Sequence, residues 1–188
     1  VTLFLLNGPP RSGKDTAATL LGHLTGEGTM SHWKLSTSLK ERTHALYGLV
    51  GLDGRPLPAG FFEATKDETS ERFLGLTPRQ AYINVHELYL KPVHGPRILG
   101  TLLVAAWHRS PFANSEHVVV SDAGDDEQCQ PLVDLMGVEN TVIIHLSRPG
   151  TKWDNRRTFT IPGVRTVEVR NEGQDLTTFR LALLPALG

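Results

Sequence analysis

A glycine turn followed by lysine, set between an apolar run and a helical pattern, is the strongest constraint in this chain. Residues 7–16 read NGPPRSGKDT, so Gly8-x-x-x-x-Gly13-Lys14 follows the apolar stretch Thr2–Leu6. Beyond it, Ala17, Ala18, Leu20, Leu21 and Leu24 recur at helical spacing until Gly26 and Gly28 stop the pattern. The opening VTLFLL has no basic flank and runs straight into the turn. It is expected to be a buried parallel strand rather than a signal peptide. A strand, a glycine-rich loop and a helix N-terminus in succession converge backbone amides on one point and add a partial positive charge. That arrangement binds phosphate. Gly8 and Gly13 clear side chains from the approach, and Lys14 bridges the outer phosphates. The plain alternative is a glycine turn with a surface lysine.

Asp15 stands where a magnesium-binding hydroxyl is usual. Either Asp15 takes over part of the metal's shell, or Thr16 does and Asp15 orients water. Asp15 could also merely favour the helix N-terminus. A second acidic position follows the run HVVV: Asp122 has the layout of a strand-end carboxylate that holds Mg²⁺ through water. The bland reading of Asp122 is a turn residue. Asp125, Asp126 and Glu127 are expected to cap the next helix.

The rest of the chain alternates strands and helices. Thr77, Pro78 and Gln80 form a capping box for a helix running to about Leu90 and ending before Pro92. A further helix follows Pro96, with Ile98, Leu99, Leu102, Leu103 and Ala106 as its apolar stripe. Strands are expected at 33–35, 117–122, 141–146 and 164–169, and helices near 39–48, 127–136 and 175–184. His86-Glu87 reads as exposed helix surface. Residues 49–76 are rich in Gly, Pro and charge and read as a loop or mobile insert with some helix. The pattern predicts an α/β fold: one domain over residues 1–188, with a mostly parallel sheet and helices on both faces. Ligands in such folds sit beyond the carboxyl ends of the strands.

The totals exclude several alternatives. With 188 residues and a net charge of −1, no global basic field argues for a nucleic-acid polymer as partner. Cys129 is the only cysteine, which rules out an internal disulfide and a cysteine-rich zinc site and fits a reducing cytoplasm. No apolar run is long enough to span a bilayer. The eight histidines are scattered, with no H-E-x-x-H. Basic residues are more telling. Arg11 lies in the glycine loop, and Lys40 and Arg42 on the helix after the first crossover. Arg79 opens the capped helix. Arg148, Lys152, Arg156 and Arg157 crowd one loop, expected to act as a lid over transferring phosphate across 148–163. Trp153 in that loop reads as an edge aromatic or a platform for a base.

These motifs resemble those of the deoxynucleoside monophosphate kinases of tailed bacteriophages. NGPPRSGKDT is similar to their R-S-G-K-D-T loop, in which aspartate also follows the lysine. KLSTSLKERTHALYG resembles their A-x-P-L-K helix, and TPRQAYI a Ser/Thr-Pro-Arg helix start. VVVSDAGDDE resembles a strand-Asp-x-Arg segment, VIIHLSRPG a strand-x-Arg-Pro-Gly segment, and the end of the chain an N-D-G-x-L segment. The resemblance covers most of the chain outside 49–76. It implies a P-loop NTPase three-layer sandwich with a lid region. It further implies transfer of the γ-phosphate of ATP to a dNMP with Mg²⁺ in the (host) cytoplasm. Gly8, Arg11, Ser12, Gly13, Lys14, Asp15 and Thr16 would serve the phosphates and metal, with Asp122 completing the metal set. Lys40, Arg42 and Arg79 would face the acceptor, Arg148 the donor adenine or lid edge, and Arg156 and Arg157 the transferring group. Gly124 departs from the pattern, standing where arginine is usual, and Pro131 enters the following helix. The partner is then a small nucleotide; oligomeric state is left open, a homodimer included.

Such a reaction needs positioning and cations more than covalent chemistry, because a phosphate acceptor is already anionic. Rival readings are a kinase acting on a hydroxyl, in a small metabolite or a hydroxymethylated DNA base, with Asp122 or Asp125 as base, and a nucleotide-binding ATPase or switch with no acceptor.

Overall fold

The structure, a computed structural model, describes residues 1–26, 28–111, 115–153, 158–173 and 175–188. Strands β1 (Thr2–Asn7), β2 (Met30–Trp33), β3 (His117–Val120), β4 (Thr141–Ser147) and β5 (Arg165–Arg170) form one sheet in the order β2-β3-β1-β4-β5. Every pairing is parallel. β1 lies centrally because both its faces are apolar. Leu3 and Leu5 join Val118, Val120 and Ile143 in one core, whereas Phe4 and Leu6 join Val119, Val142, Ile144 and Leu146 in the other. The period of two along the strand thus feeds two hydrophobic layers.

Helices α1 (Lys14–Thr25) and α7 (Leu176–Leu183) cover one face. The other carries α2 (Ser36–Leu46), α3 (Pro78–Val85), α5 (Ile98–His108) and α6 (Asp126–Met136). The chain leaves β1 towards β2 and β3 on one side, then crosses to β4 and β5 on the other. The carboxyl end of β1 is therefore a switch point where ligands of such sheets bind. Among the described residues no helix is long and apolar enough to cross a membrane.

The expected capping box forms in full: Thr77 accepts from the Gln80 amide and Gln80 accepts from the Thr77 amide. Asp125 caps α6 by accepting from the Gln128 amide at 2.8 Å, and Pro131 lies inside that helix without ending it. The expected stop before Pro92 does not occur. The helix widens into a π turn over His86–Leu90 and continues as α4 (Lys91–His94). Lys91 donates to the carbonyl of His86 across the wide turn, and the re-registered ladder absorbs the donor that proline lacks.

The stretch 49–76 is loop with one short helical turn, Glu71–Phe73, as expected, and it is anchored in the core. Phe62 and Phe73 are buried, with ring centroids 5.0 Å apart edge to face, and His44 stacks edge-on to Phe62 at 5.2 Å. His44 Nδ1 lies 2.7 Å from the Leu57 carbonyl and its Nε2 2.9 Å from the Tyr82 hydroxyl. A carbonyl only accepts, so Nδ1 carries the hydrogen and Tyr82 donates to Nε2 in the neutral ring. The imidazole thus ties the insert to α2 and α3. Phe73→Ala should lower the stability of the whole domain by about 3–5 kcal/mol in denaturant unfolding; an unchanged midpoint would mean that the insert is only an appendage.

Candidate functional site

The loop between β1 and α1 is shaped from behind. Gly8 packs so tightly on β4 that a Cβ there would lie 2.6 Å from the Leu146 carbonyl oxygen. Gly13 has φ 98° and a Cβ on it would meet Asn171 Nδ2 at 2.6 Å. Asn171, buried at the end of β5, donates from Nδ2 to the Ser12 carbonyl at 3.0 Å and accepts the Gly173 amide at 3.0 Å. Arg11 takes a left-handed conformation, φ 64°, and the Ser12 amide donates to the Pro9 carbonyl. Lys14 curls back on the loop, its ammonium donating to the carbonyls of Gly8 (2.7 Å) and Pro9 (2.9 Å). The N-cap residue Gly13 has no side chain to cap α1, and the start of a helix attracts anions.

Asp15 and Thr16 point to different neighbourhoods. Asp15 Oδ1 accepts from the Ser121 hydroxyl at 2.8 Å and pairs with Lys34 at 2.8 Å, with His32 3.9 Å away. Burial pushes its pKa up, but hydrogen bonds from Lys34 and Ser121 and the Lys34 charge outweigh it, so the carboxyl titrates below its ordinary value. Thr16 borders a cavity of about 240 Å³ shared with Arg148, Asn171, Gly173 and Phe179. There the Arg148 guanidinium lies flat against Gly173, where a Cβ would come within 3.1 Å of Nη2. Asp122 sits next to Ser121 as expected, but its oxygens accept the amides of Leu35 (2.7 Å) and Ser36 (3.0 Å), so it caps α2. Among the described residues no three His, Cys, Asp or Glu side chains gather as a metal-holding group.

A separate cleft of about 420 Å³ lies between α2, α3, α6 and the insert. Lys40 and Arg79 line it; Arg42 does not and is exposed. Two residues along a helix from Lys40, it faces away. The insert adds residues that sequence reasoning missed. Glu63 binds Lys40 at 2.9 Å and also Lys66, while Asp67 holds Arg79 at 2.6 Å. Hydrogen bonds from Arg79 hold the Asp67 carboxyl below its usual value, with smaller help from the charges of Arg79, Lys66 and Arg11. Tyr82 lies under Lys40, 5.8 Å from ring centroid to Nζ, its hydroxyl pushed up to about 12 by burial and then by Glu63. Lys34, Ser121, Asn171 and Lys66 were missed because only the fold brings them to the loop or cleft.

The expected lid is partly in view. Residues 148–153 and 158–164 have no regular strand or helix; Arg148 opens a turn by accepting from Thr151, and Trp153 is partly exposed. Ile161 is buried in the core and the Phe159 carbonyl accepts from His145, so the returning limb is fastened down. Arg156 and Arg157 lie outside the described residues.

No protein-family model matches the chain, and no curated protein matches it in sequence. Among solved structures, an unliganded sugar kinase from Janibacter sp. is similar at a TM-score of 0.47 and 13% identity, covering 100% of this chain and 94% of that chain. Likeness at this level transfers no chemistry.

Hydrogen bonds from Lys66 and Lys40 outweigh burial and take Glu63 from its usual 4.5 to about 2. A carboxyl depressed in the folded state stabilises fully above its unfolded value and loses that contribution as pH falls through the folded one. Glu63→Gln should therefore be less stable than wild type at pH 7, by a small margin because the site is largely solvated, and the difference should shrink between pH 4.5 and 2. Urea unfolding at pH 7 and pH 2.5 measures it; a gap independent of pH contradicts the pairing.

Proposed function

We propose that this chain transfers the γ-phosphate of ATP to a nucleoside 5′-monophosphate, in the deoxy series, with Mg²⁺. One observation carries the reading: besides the cavity that borders the glycine loop at Gly13 and Thr16, a second cleft lined by Lys40, Lys66 and Arg79 reaches Asp122, just beyond the carboxyl end of β3. A nucleotidase or switch without acceptor needs only one of them. The smaller, bordered by Thr16, Arg148 and Asn171, suits the donor nucleoside. The larger, with Lys40, Lys66 and Arg79, suits an anionic acceptor.

The hydroxyl-acceptor alternative is weakened by its own requirement. Asp122 and Asp125, the carboxylates that could act as base, already accept backbone amides at helix starts. A phosphate acceptor needs no base, and the cleft supplies cations instead.

The chain's residues divide the work. Gly8, Ser12 and Gly13 shape a cradle that a side chain would fill, and the loop and first-turn amides bind the donor phosphates. Lys14 swings from the loop carbonyls to the outer phosphates. Arg11 serves the phosphates, and Arg148 supports the adenine edge. Lys40 and Arg79 release Glu63 and Asp67 to orient the acceptor phosphate, while Arg42 takes no part. Asp15, bonded to Ser121, and Asp122, the next residue in sequence, are ionisable oxygen donors of the hard kind that Mg²⁺ prefers and would hold it through water, with Thr16 serving a phosphate oxygen. The metal neutralises charge on the phosphates when bound. The 148–163 segment excludes water, with Arg156 and Arg157 as added cations.

Lys14→Ala should lower acceptor-dependent ATP consumption by about 10³-fold or more with the melting temperature retained, read by diphosphate formation across common ribo- and deoxynucleoside monophosphates. ATP loss that no nucleotide accelerates would favour the acceptor-free reading, and an unchanged rate in the variant would remove the loop from the mechanism.

A further inference from the structure

The turn that joins β2 to α2 closes over both carboxylates assigned to the metal. Lys34 follows β2 directly, and its ammonium donates to Asp15 Oδ1 at 2.8 Å. The next two amides, of Leu35 and Ser36, donate to the two oxygens of Asp122. Asp15 Oδ1 also accepts the Ser121 hydroxyl. That hydroxyl has one hydrogen, spent on the carboxylate, so His32 Nε2, 2.7 Å from the Ser121 oxygen, carries its own hydrogen and donates. The β2 segment thus acts on one carboxylate oxygen twice: His32 aims Ser121 at it, and Lys34 sets a positive charge on it.

Lys34 has no part in the division of work above, yet it touches a residue that has one. The ion pair is accessible: the Lys34 side chain is 39% exposed and that of Asp15 67%. A cation can therefore reach Asp15 from solvent with the turn intact, and separating an exposed pair costs little. Electrostatics sets the terms of that encounter. An ammonium at contact distance repels a dication on the same carboxylate. Mg²⁺ takes one or two carboxylates and fills its shell with water and phosphate oxygens. The described residues offer no group of three or more metal-holding side chains, so the site depends on nucleotide phosphates and water for the rest of the shell.

We propose, resting on the metal assignment in the reading above, that Lys34 is the resident counter-ion of Asp15 and competes with Mg²⁺ for it. The ammonium yields the carboxylate when nucleotide phosphates help to hold the metal. Lys34 is then a positioning residue: it keeps Asp15 neutralised and oriented between turnovers, and it makes metal enter with nucleotide rather than before it.

The quantity to measure is the metal coupling, the affinity for a non-hydrolysable ATP analogue with Mg²⁺ divided by the affinity with EDTA, both by calorimetry. Lys34→Gln should raise that ratio about 3- to 10-fold over wild type. Lys34→Arg, which keeps the charge, should stay near wild type. In an Asp15→Asn background, Lys34→Gln should no longer raise the ratio. A ratio unchanged or lowered by Lys34→Gln overturns the proposal, as does a rise that persists without the Asp15 carboxylate. A lysine that merely contacts phosphate would weaken both affinities alike and leave the ratio where it was. Should Lys34→Gln fail to fold, the ammonium ¹⁵N resonance of Lys34 in wild type decides: it should move to the position of a solvated lysine with analogue and Mg²⁺ but not with analogue and EDTA, and the same position in both overturns the proposal. An unchanged ratio in Lys34→Gln beside a ratio lowered by Asp15→Asn removes Lys34 alone. A ratio that Asp15→Asn also leaves unchanged removes the metal assignment, and no binding with or without metal removes the loop reading; this proposal falls with either.

Discussion

The glycine loop keeps its shape because strands β4 and β5 hold it from outside. A loop with Arg11 and Gly13 in left-handed conformations would otherwise sample many forms. The buried amide of Asn171 grips the Ser12 carbonyl, and the Leu146 carbonyl lies where any side chain on residue 8 would go. Both restraints come from strands that pair in sequence beside β1, so sheet order and loop geometry are one property. Backbone donors fixed before a ligand arrives need no reorganisation when charge develops, which is where most electrostatic catalysis originates.

The same residues reach the smaller cavity. Asn171 and Gly173 continue into the smaller one, and Arg148 lies on Gly173 to form its wall. On the opposite side, β3 delivers Ser121 and Asp122 in adjacent positions, one bonded to Asp15 and the other to the start of α2. The first turn of α1 therefore spans both: Thr16 borders the smaller cavity, and Asp15 faces the strand end beside the larger. In the larger cleft every named cation has a carboxylate from the insert. Glu63 is shared by Lys40 and Lys66 while Asp67 pairs with Arg79, so three cations meet two carboxylates.

Much of this was legible in the sequence wherever the signal was local. The β1–loop–α1 unit shows in a period change from two to 3.6 around a glycine turn, and the Thr77–Gln80 and Asp125 caps show in three-residue spacings. The insert was not legible, because isolated Phe62 and Phe73 in a charged, glycine-rich stretch reveal burial only when His44 and Tyr82 arrive to pack on them. Asn171 acts on a residue 159 positions away, and no spacing announces that. Arg42 was misplaced for the opposite reason: composition put it with the basic residues, while helix periodicity, read with the cleft in view, turns it away. His86 likewise looked like surface, although it follows buried Tyr82 by four residues and so lies on the same face of the helix.

The account rests on the claim that a loop held open by its neighbours binds the phosphates of ATP. The most direct measurement is calorimetric titration of wild-type protein with a non-hydrolysable ATP analogue and Mg²⁺. A saturable heat corresponding to one site per chain is predicted. No heat at millimolar nucleotide and metal, from protein shown to be folded, would contradict it.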